Sequence, residues 1–169
     1  MGKIDKNKQI KEHSLLKTAF EFFTTKGFSK TSISDIADKA GVAKGTFYLY
    51  FKDKYDIRNK LVSHKSSQLF RNEMDKLEPT LSTLDFEEKI IAIVDNIINQ
   101  LNENQSLLTF ISKNLSWGIF KNALTSNEDG DINFIDVYHS MLNEAPYDFK
   151  DPEIMLFMII ELVSSTCYS

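Results

Sequence analysis

Hydrophobic and polar positions follow the helical period most regularly between residues 32 and 54. Apolar residues recur there at the i, i+3, i+4 and i+7 spacing of one helical face, at Ile33, Ile36, Ala37 and Ala40. Ser32 and Asp35 have the spacing of a capping box, and Gly41 stands where a residue with positive φ would end the helix. The pattern predicts a short helix followed by a tight turn.

A second short helix is predicted from about Lys44 to Tyr50. Phe47 and Phe51, four residues apart, are expected to face inward, which leaves polar donors on the other face. Lysine donates to guanine, threonine contacts bases or a thymine methyl group, and tyrosine hydroxyls reach phosphates. The donors on this face are Lys44, Thr46, Tyr48 and Tyr50. Gly45 has no side chain, so the start of the helix can approach the DNA backbone closely. Residues 32–51 therefore predict a helix-turn-helix with a recognition helix, and the alternative is a helical hairpin without a DNA role.

The rest of the chain has the helical period almost throughout. We expect helices at about 7–26, 53–77, 85–101, 107–115, 117–124, 132–144 and 151–163, with a flexible arm at 1–8 and a polar loop at 125–131. The last segment is apolar on nearly every side, which in a small domain implies a partner. It is shorter than the roughly 20 apolar residues of a membrane span. The predicted fold class is all-α.

Composition supports a helical fold and divides the chain by charge. Gly and Pro number six and three, which disfavours a turn-rich β protein, and the single cysteine excludes a disulfide within the chain. Residues 1–60 contain thirteen Lys and Arg against seven Asp and Glu, a net charge of +6. Residues 61–169 contain seven against seventeen, a net charge of −10. A basic N-terminal third on an acidic body indicates nucleic-acid binding. The lysine-rich start does not resemble a signal peptide, so a cytoplasmic protein is expected.

The segment from Asp35 to Lys54 resembles the signature of the tetracycline-repressor (TetR) family of bacterial transcription regulators. The resemblance rests on Asp35-Ile36-Ala37, Ala40-Gly41-Val42, Lys44-Gly45-Thr46-Phe47-Tyr48 and Tyr50-Phe51 at fixed spacing. It implies a three-helix DNA-binding domain at 8–68 and a C-terminal helical bundle at 69–169 for ligand binding and dimerisation, expected to lack the last family helix. It also implies operator contacts from Ser34, Lys44, Gly45, Thr46, Tyr48, Tyr50 and Lys54. One departure is Ala43, where the family often has a serine that caps the recognition helix.

The same resemblance implies how such a protein works. Family members are homodimers, joined through their C-terminal helices, that bind double-stranded palindromic operators, commonly as repressors. A small-molecule effector enters the C-terminal domain and shifts the fourth helix, which separates the two reading heads and releases the DNA.

A ligand pocket is predicted from aromatic residues with one polar anchor. They are Phe110, Asn114, Trp117, Phe120, Phe134 and Tyr138. The few charges near them favour an apolar or aromatic effector. The alternative for each residue is that it fills the core.

Enzyme motifs are absent from the sequence. We find no glycine-rich phosphate loop, no H-E-x-x-H and no nucleophile elbow. We therefore expect no enzymatic activity, no cofactor, no metal site and no membrane partner. The alternative function is a helical ligand-binding or interaction module without DNA binding, which the intact recognition segment disfavours.

Overall fold

A computed structural model describes the backbone of residues 3–81, 83–125 and 134–167, and the side chains in these ranges except 3–5, 70–81, 123–125, 134–137, 164 and 167. The side chain of the predicted pocket residue Phe134 and residues 126–131 of the predicted loop 125–131 lie outside the described part of the chain, and Thr125 belongs to α7 instead of the loop. Throughout the described backbone, the regular elements are α-helices, as predicted: α1 (Lys3–Thr25), α2 (Ile33–Lys39), α3 (Lys44–Phe47), α4 (Lys54–Leu81), α5 (Phe86–Glu103), α6 (Gln105–Asn114), α7 (Trp117–Thr125), α8 (Phe134–Asn143) and α9 (Pro152–Cys167).

The two ends of α1 compare differently with the prediction. α1 begins at Lys3, so the flexible arm predicted for residues 1–8 is wrong where the backbone is described. Lysine has a high helix propensity and extends the helix without a break. The end of α1 is as predicted: Gly27 has a φ of 88°, and the Phe28 ring lies 5.1 Å from the Phe23 ring.

α4 begins as predicted but ends later. Asp53 Oδ1 accepts from two N–H groups of the first turn, at 2.8 and 2.9 Å, and so caps the helix. The helix continues past Pro79 to Leu81, whereas the sequence predicted an end near Leu77. A proline removes one backbone donor, and here the helix stops two residues after it.

Contacts between residues divide the chain into two compact units, 1–61 and 62–169. In the first unit α1 packs on α2, and α2 packs on α3. Its core is rich in phenylalanine and comes from α1 through the first turns of α4: Leu15, Ala19, Phe22, Phe23, Ile36, Ala37, Phe47, Phe51, Ile57 and Leu61. The predicted helix-turn-helix is thus held on a hydrophobic core of its own. The domain limits 8–68 and 69–169 stay predictions.

In the second unit α9 packs against α5, α6 and α7, while α5 also packs on α6 and α7 on α8. α5 starts with the predicted capping box, in which Asp85 accepts from the Glu88 N–H at 2.9 Å and Glu88 accepts from the Asp85 N–H at 3.1 Å. α9 starts at Pro152, as predicted. The main core cluster is largely aliphatic: Leu69, Phe86, Ile93, Ile97, Leu101, Leu108, Ile111 and Met141.

One face of α9 is exposed within the single chain. Ile154, Met158 and Leu162 follow one another at four-residue spacing and are 45%, 64% and 69% exposed. The sequence implied a partner for this apolar helix, and in the single chain one apolar stripe faces away from the core. Across the described helices, none combines the length and apolar character that crossing a bilayer requires.

Candidate nucleic-acid interface

The segment that carries the predicted DNA-binding residues begins with the capping box of α2. Ser32 Oγ accepts from the Asp35 N–H at 3.0 Å, and Asp35 Oδ2 accepts from the Ser32 N–H at 2.9 Å. These hydrogen bonds hold the pKa of the Asp35 carboxyl below its usual value, first through the Ser32 backbone and then through its hydroxyl. An ionised carboxylate also suits the positive end of the α2 dipole. The start of α2 is therefore as the sequence predicted.

The turn between α2 and α3 depends on Gly41, whose φ is 71°. Ala40 closes α2, and the Val42 N–H donates back to Ala37 O at 3.0 Å. Positive φ is unfavourable for residues with a side chain and favours glycine. Gly41 thus sets the direction in which the chain enters α3.

The recognition helix is shorter than predicted. α3 covers Lys44–Phe47, and the backbone continues as turns to Tyr50. Ala43 at the N-cap position makes no side-chain hydrogen bond, so the helix lacks the cap that the family serine would supply. Packing holds the segment instead. Phe47 and Phe51 are 0% and 1% exposed, and their ring centroids lie 5.4 Å apart.

The predicted DNA-contacting side chains of this segment lie at its surface. They are exposed at Lys44, Gly45 and Tyr48 and half-buried at Ser34, Thr46 and Tyr50. Tyr48 is 51% exposed, and its ring packs edge-on against the buried Phe47 ring at 5.5 Å. The surface is therefore available to a partner, and contact with the buried Phe47 ring fixes the position of the Tyr48 ring. Contact of these six residues with DNA stays a prediction.

Lys54 is placed differently from the other six. Its Nζ donates to Phe28 O at 2.8 Å and to Thr31 O at 2.9 Å, and it lies 4.4 Å from the centre of the Phe28 ring. An ammonium has three donors, and two of them are used inside the protein. The side chain of Lys54 is therefore bound to the loop between α1 and α2, and its contact with phosphate stays a prediction.

Leu49 belongs to the same surface, and the sequence interpretation did not single it out. It is 78% exposed, the highest value among the large apolar side chains that the structure describes as exposed. It lies between Tyr48 and Tyr50, two residues away from each buried phenylalanine. The exposure of Leu49 could have been predicted from its two-residue offset from Phe47 and Phe51, because positions two apart on a helix point away from each other.

A small cavity lies in the second unit and has a volume of about 20 Å³. Side chains from α5, α8 and α9 line it: Ile90, Ile93, Val94, Ile97, Tyr138, Met141, Leu156, Ile159 and Ile160. Of the predicted pocket residues with described side chains, only Tyr138 lines this cavity. A space of this size holds about one water molecule, so no larger ligand fits it in this conformation.

The other described members of the predicted pocket make contacts of a different kind. Asn114 Nδ2 donates to Phe110 O at 2.7 Å within α6, so the predicted polar anchor is used by its own helix. Trp117, Phe120 and Phe157 pack ring against ring, with centroids 5.3 to 5.9 Å apart. Aromatic side chains gain from such pairing beyond the burial of their area. Phe120 is buried in this cluster, whereas Trp117 is 36% exposed at its edge. Binding of an effector by these residues stays a prediction.

Tyr138 connects the cavity wall to the start of α9. Its hydroxyl donates to Pro152 O at 2.7 Å. Burial, with a further contribution from the charge of Glu153, raises the pKa of Tyr138 to about 12. The phenol therefore keeps its proton, and this hydrogen bond, through the physiological pH range.

Groups that could hold a metal ion do not occur among the described side chains, where no three His, Cys, Asp or Glu residues come together. His139 Nε2 lies 3.4 Å from Glu153 Oε1 on the surface, an arrangement that joins α8 to α9.

A capped helix, a glycine turn and a short second helix that buries two phenylalanines under exposed donors define a helix-turn-helix protein. Comparison with known proteins agrees. The family model described as bacterial regulatory proteins, tetR family, matches residues 15–61. Residues 15–61 therefore form a TetR-family segment.

Curated relatives match between about half and two thirds of this chain. The HTH-type transcriptional regulator YvdT of Bacillus subtilis (strain 168) is 36% identical over 90 residues, which are 53% of this chain and 43% of the relative. The protein named "Probable acrEF/envCD operon repressor" of Escherichia coli (strain K12) is 33% identical over 115 residues, 67% of this chain and 46% of the relative. The chain thus spans less than half the length of each relative.

Similarity to solved structures extends over most of the chain. The transcriptional regulator FadR of Bacillus subtilis, solved in complex with stearoyl-CoA, superposes with a TM-score of 0.63 at 21% identity. The superposition covers 92% of this chain and 84% of that chain. At this identity the similarity establishes the fold, an N-terminal helix-turn-helix domain with a C-terminal helical domain.

Proposed function

We propose that the chain is a sequence-specific DNA-binding transcription regulator of the cytoplasm, a binding protein and not an enzyme. The observation that carries the proposal is the segment 32–51, in which Phe47 and Phe51 are buried while Lys44 and Tyr48 remain exposed. The domain that reads DNA corresponds to about residues 8–68, and residues 69–169 carry effector binding and dimerisation. Repression is the expected mode, since a named operon repressor is among the relatives.

Gly45 adds independent support. A Cβ built at this position meets nothing within 4 Å, and the backbone φ is not positive, so no requirement of the described protein explains a glycine. Glycine inside a helix costs about 0.5–1 kcal/mol relative to alanine. Close approach of an external partner to the start of α3 accounts for that cost.

Selection of bound sequences from random duplex DNA tests this function directly. A palindrome should emerge, with half-site centres about 34 Å apart or slightly more. Lys44→Ala should bind the selected sequence roughly 5- to 150-fold more weakly, because one good base contact contributes about 1–3 kcal/mol. Lys17→Ala removes an exposed lysine on α1 and serves as the matched control. Failure of the unmodified protein to enrich any sequence would refute the proposal.

Dimerisation is proposed to use the exposed stripe of α9. Ile154, Met158 and Leu162 present three large apolar side chains on one helical face, and a second copy of the same helix, related by a two-fold axis, offers a surface of the same character. The expected consequence is that each protomer supplies one reading head to one half of the palindrome.

Sedimentation of two charge-insertion variants tests the interface. Met158→Glu should convert dimers into monomers, because a carboxylate would be buried without a partner. Ile91→Glu is the matched control, since Ile91 is a similarly exposed apolar residue (67%) on α5. If Met158→Glu remains dimeric, or if both variants dissociate equally, the α9 stripe is not the interface.

The effector is proposed to be a molecule with a long apolar chain that enters between α5, α8 and α9. The described cavity is lined mainly by isoleucine, valine, leucine and methionine, which suits an aliphatic chain better than an aromatic ring. FadR of similar fold was solved with stearoyl-CoA, which gives a concrete probe. Because the cavity holds about 20 Å³, binding requires these helices to separate.

Titration with stearoyl-CoA and with coenzyme A alone distinguishes the apolar chain from the head group. Fluorescence of Trp117, the single tryptophan, reports binding, since its ring contacts Phe120 and Phe157. Stearoyl-CoA should bind and release the selected DNA, whereas coenzyme A should do neither. Equal binding of both compounds, or binding of neither, would rule out an acyl chain as the recognised group.

A further inference from the structure

Phe28 and Thr31 lie in the loop between α1 and α2, and Lys54 is the first residue of α4. One ammonium group joins these two places, because Lys54 Nζ donates to both carbonyl oxygens at 2.8 and 2.9 Å. The segment between Thr31 and Lys54 is the whole helix-turn-helix. The side chain of Lys54 therefore connects the entry of this segment to its exit.

The loop end of this connection is itself rigid. Thr31 is 1% exposed, and its hydroxyl donates to Gly27 O at 2.9 Å while its N–H donates to Phe28 O at 3.3 Å. The next residue is Ser32, which caps α2. A constraint on Thr31 O is thus passed directly to the start of the helix that precedes the recognition segment.

The α4 end is rigid as well, because three of its side chains surround one ring. Lys54 Nζ lies 4.4 Å and the Arg58 guanidinium 5.1 Å from the centre of the Phe28 ring. The Tyr55 ring lies 5.1 Å from the same ring. The first turn of α4 therefore binds the loop through its cations and an aromatic contact at once.

A lysine in the first turn of a helix opposes the helix dipole. Lys54 is not needed to cap α4, because Asp53 already accepts hydrogen bonds from the N–H groups of the first turn. The carbonyl oxygens of Phe28 and Thr31 and the face of the Phe28 ring supply the negative potential that Lys54 needs at this position. These partners explain why a lysine stands at position 54 without any contact to DNA.

We propose that Lys54 is a positioning residue: its ammonium clasps the residue before the α2 cap to the start of α4 and thereby orients the recognition segment, instead of binding a phosphate. We call this contact of Lys54 with Phe28 and Thr31 the Lys54 clasp. Its effect on DNA binding rests on the proposed function, whereas its effect on the free protein does not.

The two roles of Lys54 differ in salt dependence. Removal of one lysine–phosphate interaction lowers the magnitude of the slope of log K against log salt by about 0.9. For Lys54→Met we expect affinity for the selected duplex to fall by roughly tenfold or more, since a hydrogen bond to a charged group is worth about one decade in an equilibrium constant. The slope should stay as it is in the unmodified protein. Lys52→Met, which removes an exposed lysine two residues away, is the matched control and should leave affinity within about threefold.

All affinities are to be measured at a temperature where circular dichroism shows each variant fully folded. A slope reduced by about 0.9 in Lys54→Met would identify a phosphate ligand and overturn the proposal. Unchanged affinity in a folded but less heat-stable Lys54→Met would show a purely structural contact and overturn it equally. If Lys54→Met does not fold, Lys54→Gln takes its place, because it keeps a neutral donor on a shorter side chain.

Hydrogen exchange in the DNA-free protein tests the clasp without relying on DNA binding. Amides of residues 31–36 should exchange faster in Lys54→Met than in Lys52→Met, because the start of α2 loses its connection to α4. Equal exchange in the two variants would refute the clasp even if DNA binding were weakened. If the unmodified protein selects no duplex, the proposed function fails while this measurement still decides whether the clasp exists.

Discussion

The two units of the chain place their candidate sites in different ways. In the first unit the surface proposed to bind DNA comes from one continuous segment, 32–51, whose structure depends on a capping box and a glycine of positive φ. In the second unit the cavity is lined by residues of three helices, from Ile90 to Ile160. A local site can be recognised from neighbouring residues in the sequence. A site made of distant helices depends on how those helices pack.

The comparisons also differ in what they cover. The family model matches residues 15–61, most of the first unit, whereas the superposition on FadR covers 92% of the chain at 21% identity and shows the fold. The following variants test how separate the two units are.

The largest effect is expected from Phe47→Ala in the first unit. Phe47 is 0% exposed, and truncation of a buried phenylalanine costs about 3–5 kcal/mol of unfolding free energy. Hydrogen exchange at residues 15–61 should rise strongly, and urea denaturation should show the loss. Tyr48→Ala, at the neighbouring exposed position, should cost less than about 1 kcal/mol. Similar losses in the two variants would contradict the assignment of Phe47 to the core.

A comparable substitution in the second unit is Leu108→Ala. Leu108 is 1% exposed, and leucine-to-alanine changes in cores cost about 2–5 kcal/mol. If the units unfold separately, exchange should rise in α5, α6 and α9 while the amides of 32–51 keep their protection. Ile91→Ala, at an exposed position of α5, is the control. Equal loss of protection in both units would show that they unfold as one cooperative unit and would contradict their separation.

Ser32→Ala should cost about 1 kcal/mol, the usual loss of an N-cap oxygen. The pKa of Asp35 is depressed in the fold, so the stabilisation from its ionised form is present above the ordinary carboxyl pKa and is lost as the pH falls through the folded value. Thermal unfolding at pH 7 and at about pH 3 should therefore show a smaller difference between Ser32→Ala and the unmodified protein at the lower pH. Ser29→Ala, in the exposed loop, is the control. A difference that grows with acidity would contradict the capping box.

The smallest effect on stability, with the opposite sign, is expected from Gly45→Ala. The added Cβ meets nothing within 4 Å, so the free protein should gain about 0.5–1 kcal/mol while the affinity for DNA falls. Gly41→Ala is the matched control and should destabilise, because its φ of 71° is unfavourable for alanine. Melting temperatures and DNA titrations measure both effects. A more stable Gly45→Ala protein with unchanged affinity would remove the close approach to DNA from the proposal.

Several features of the first unit follow from neighbouring residues and were predicted correctly. The capping box at Ser32, the turn at Gly41 and the inward direction of Phe47 each depend on residues within about one helical turn. The hydrogen bonds of Lys54 were not predicted, because its partners, Phe28 and Thr31, lie 26 and 23 residues away in the chain. A lysine near a recognition helix looks the same in sequence whether it faces a phosphate or a carbonyl oxygen.

In the second unit the helices were predictable, whereas the ring-to-ring contacts were not, and the effector pocket stays a prediction. Periodicity and start signals such as Asp85 with Glu88 and Asp151 with Pro152 placed α5 and α9. The hydrophobic periodicity of a helix does not indicate which aromatic rings of different helices come into contact. Trp117 and Phe120 pack with Phe157 from another helix, and Asn114 turns back to its own helix.

The amino-acid sequence by itself determined the helices, their caps, the basic N-terminal third and the segment that forms the recognition surface, because these depend on short-range backbone preferences and on the order of charges. Tertiary structure alone decided that α3 is only four residues long, that Lys54 Nζ donates to Phe28 O and Thr31 O, and that a small cavity with mainly aliphatic walls lies among α5, α8 and α9. Those outcomes depend on which distant side chains compete for the same space and the same hydrogen bonds, and that competition is settled only when the helices pack.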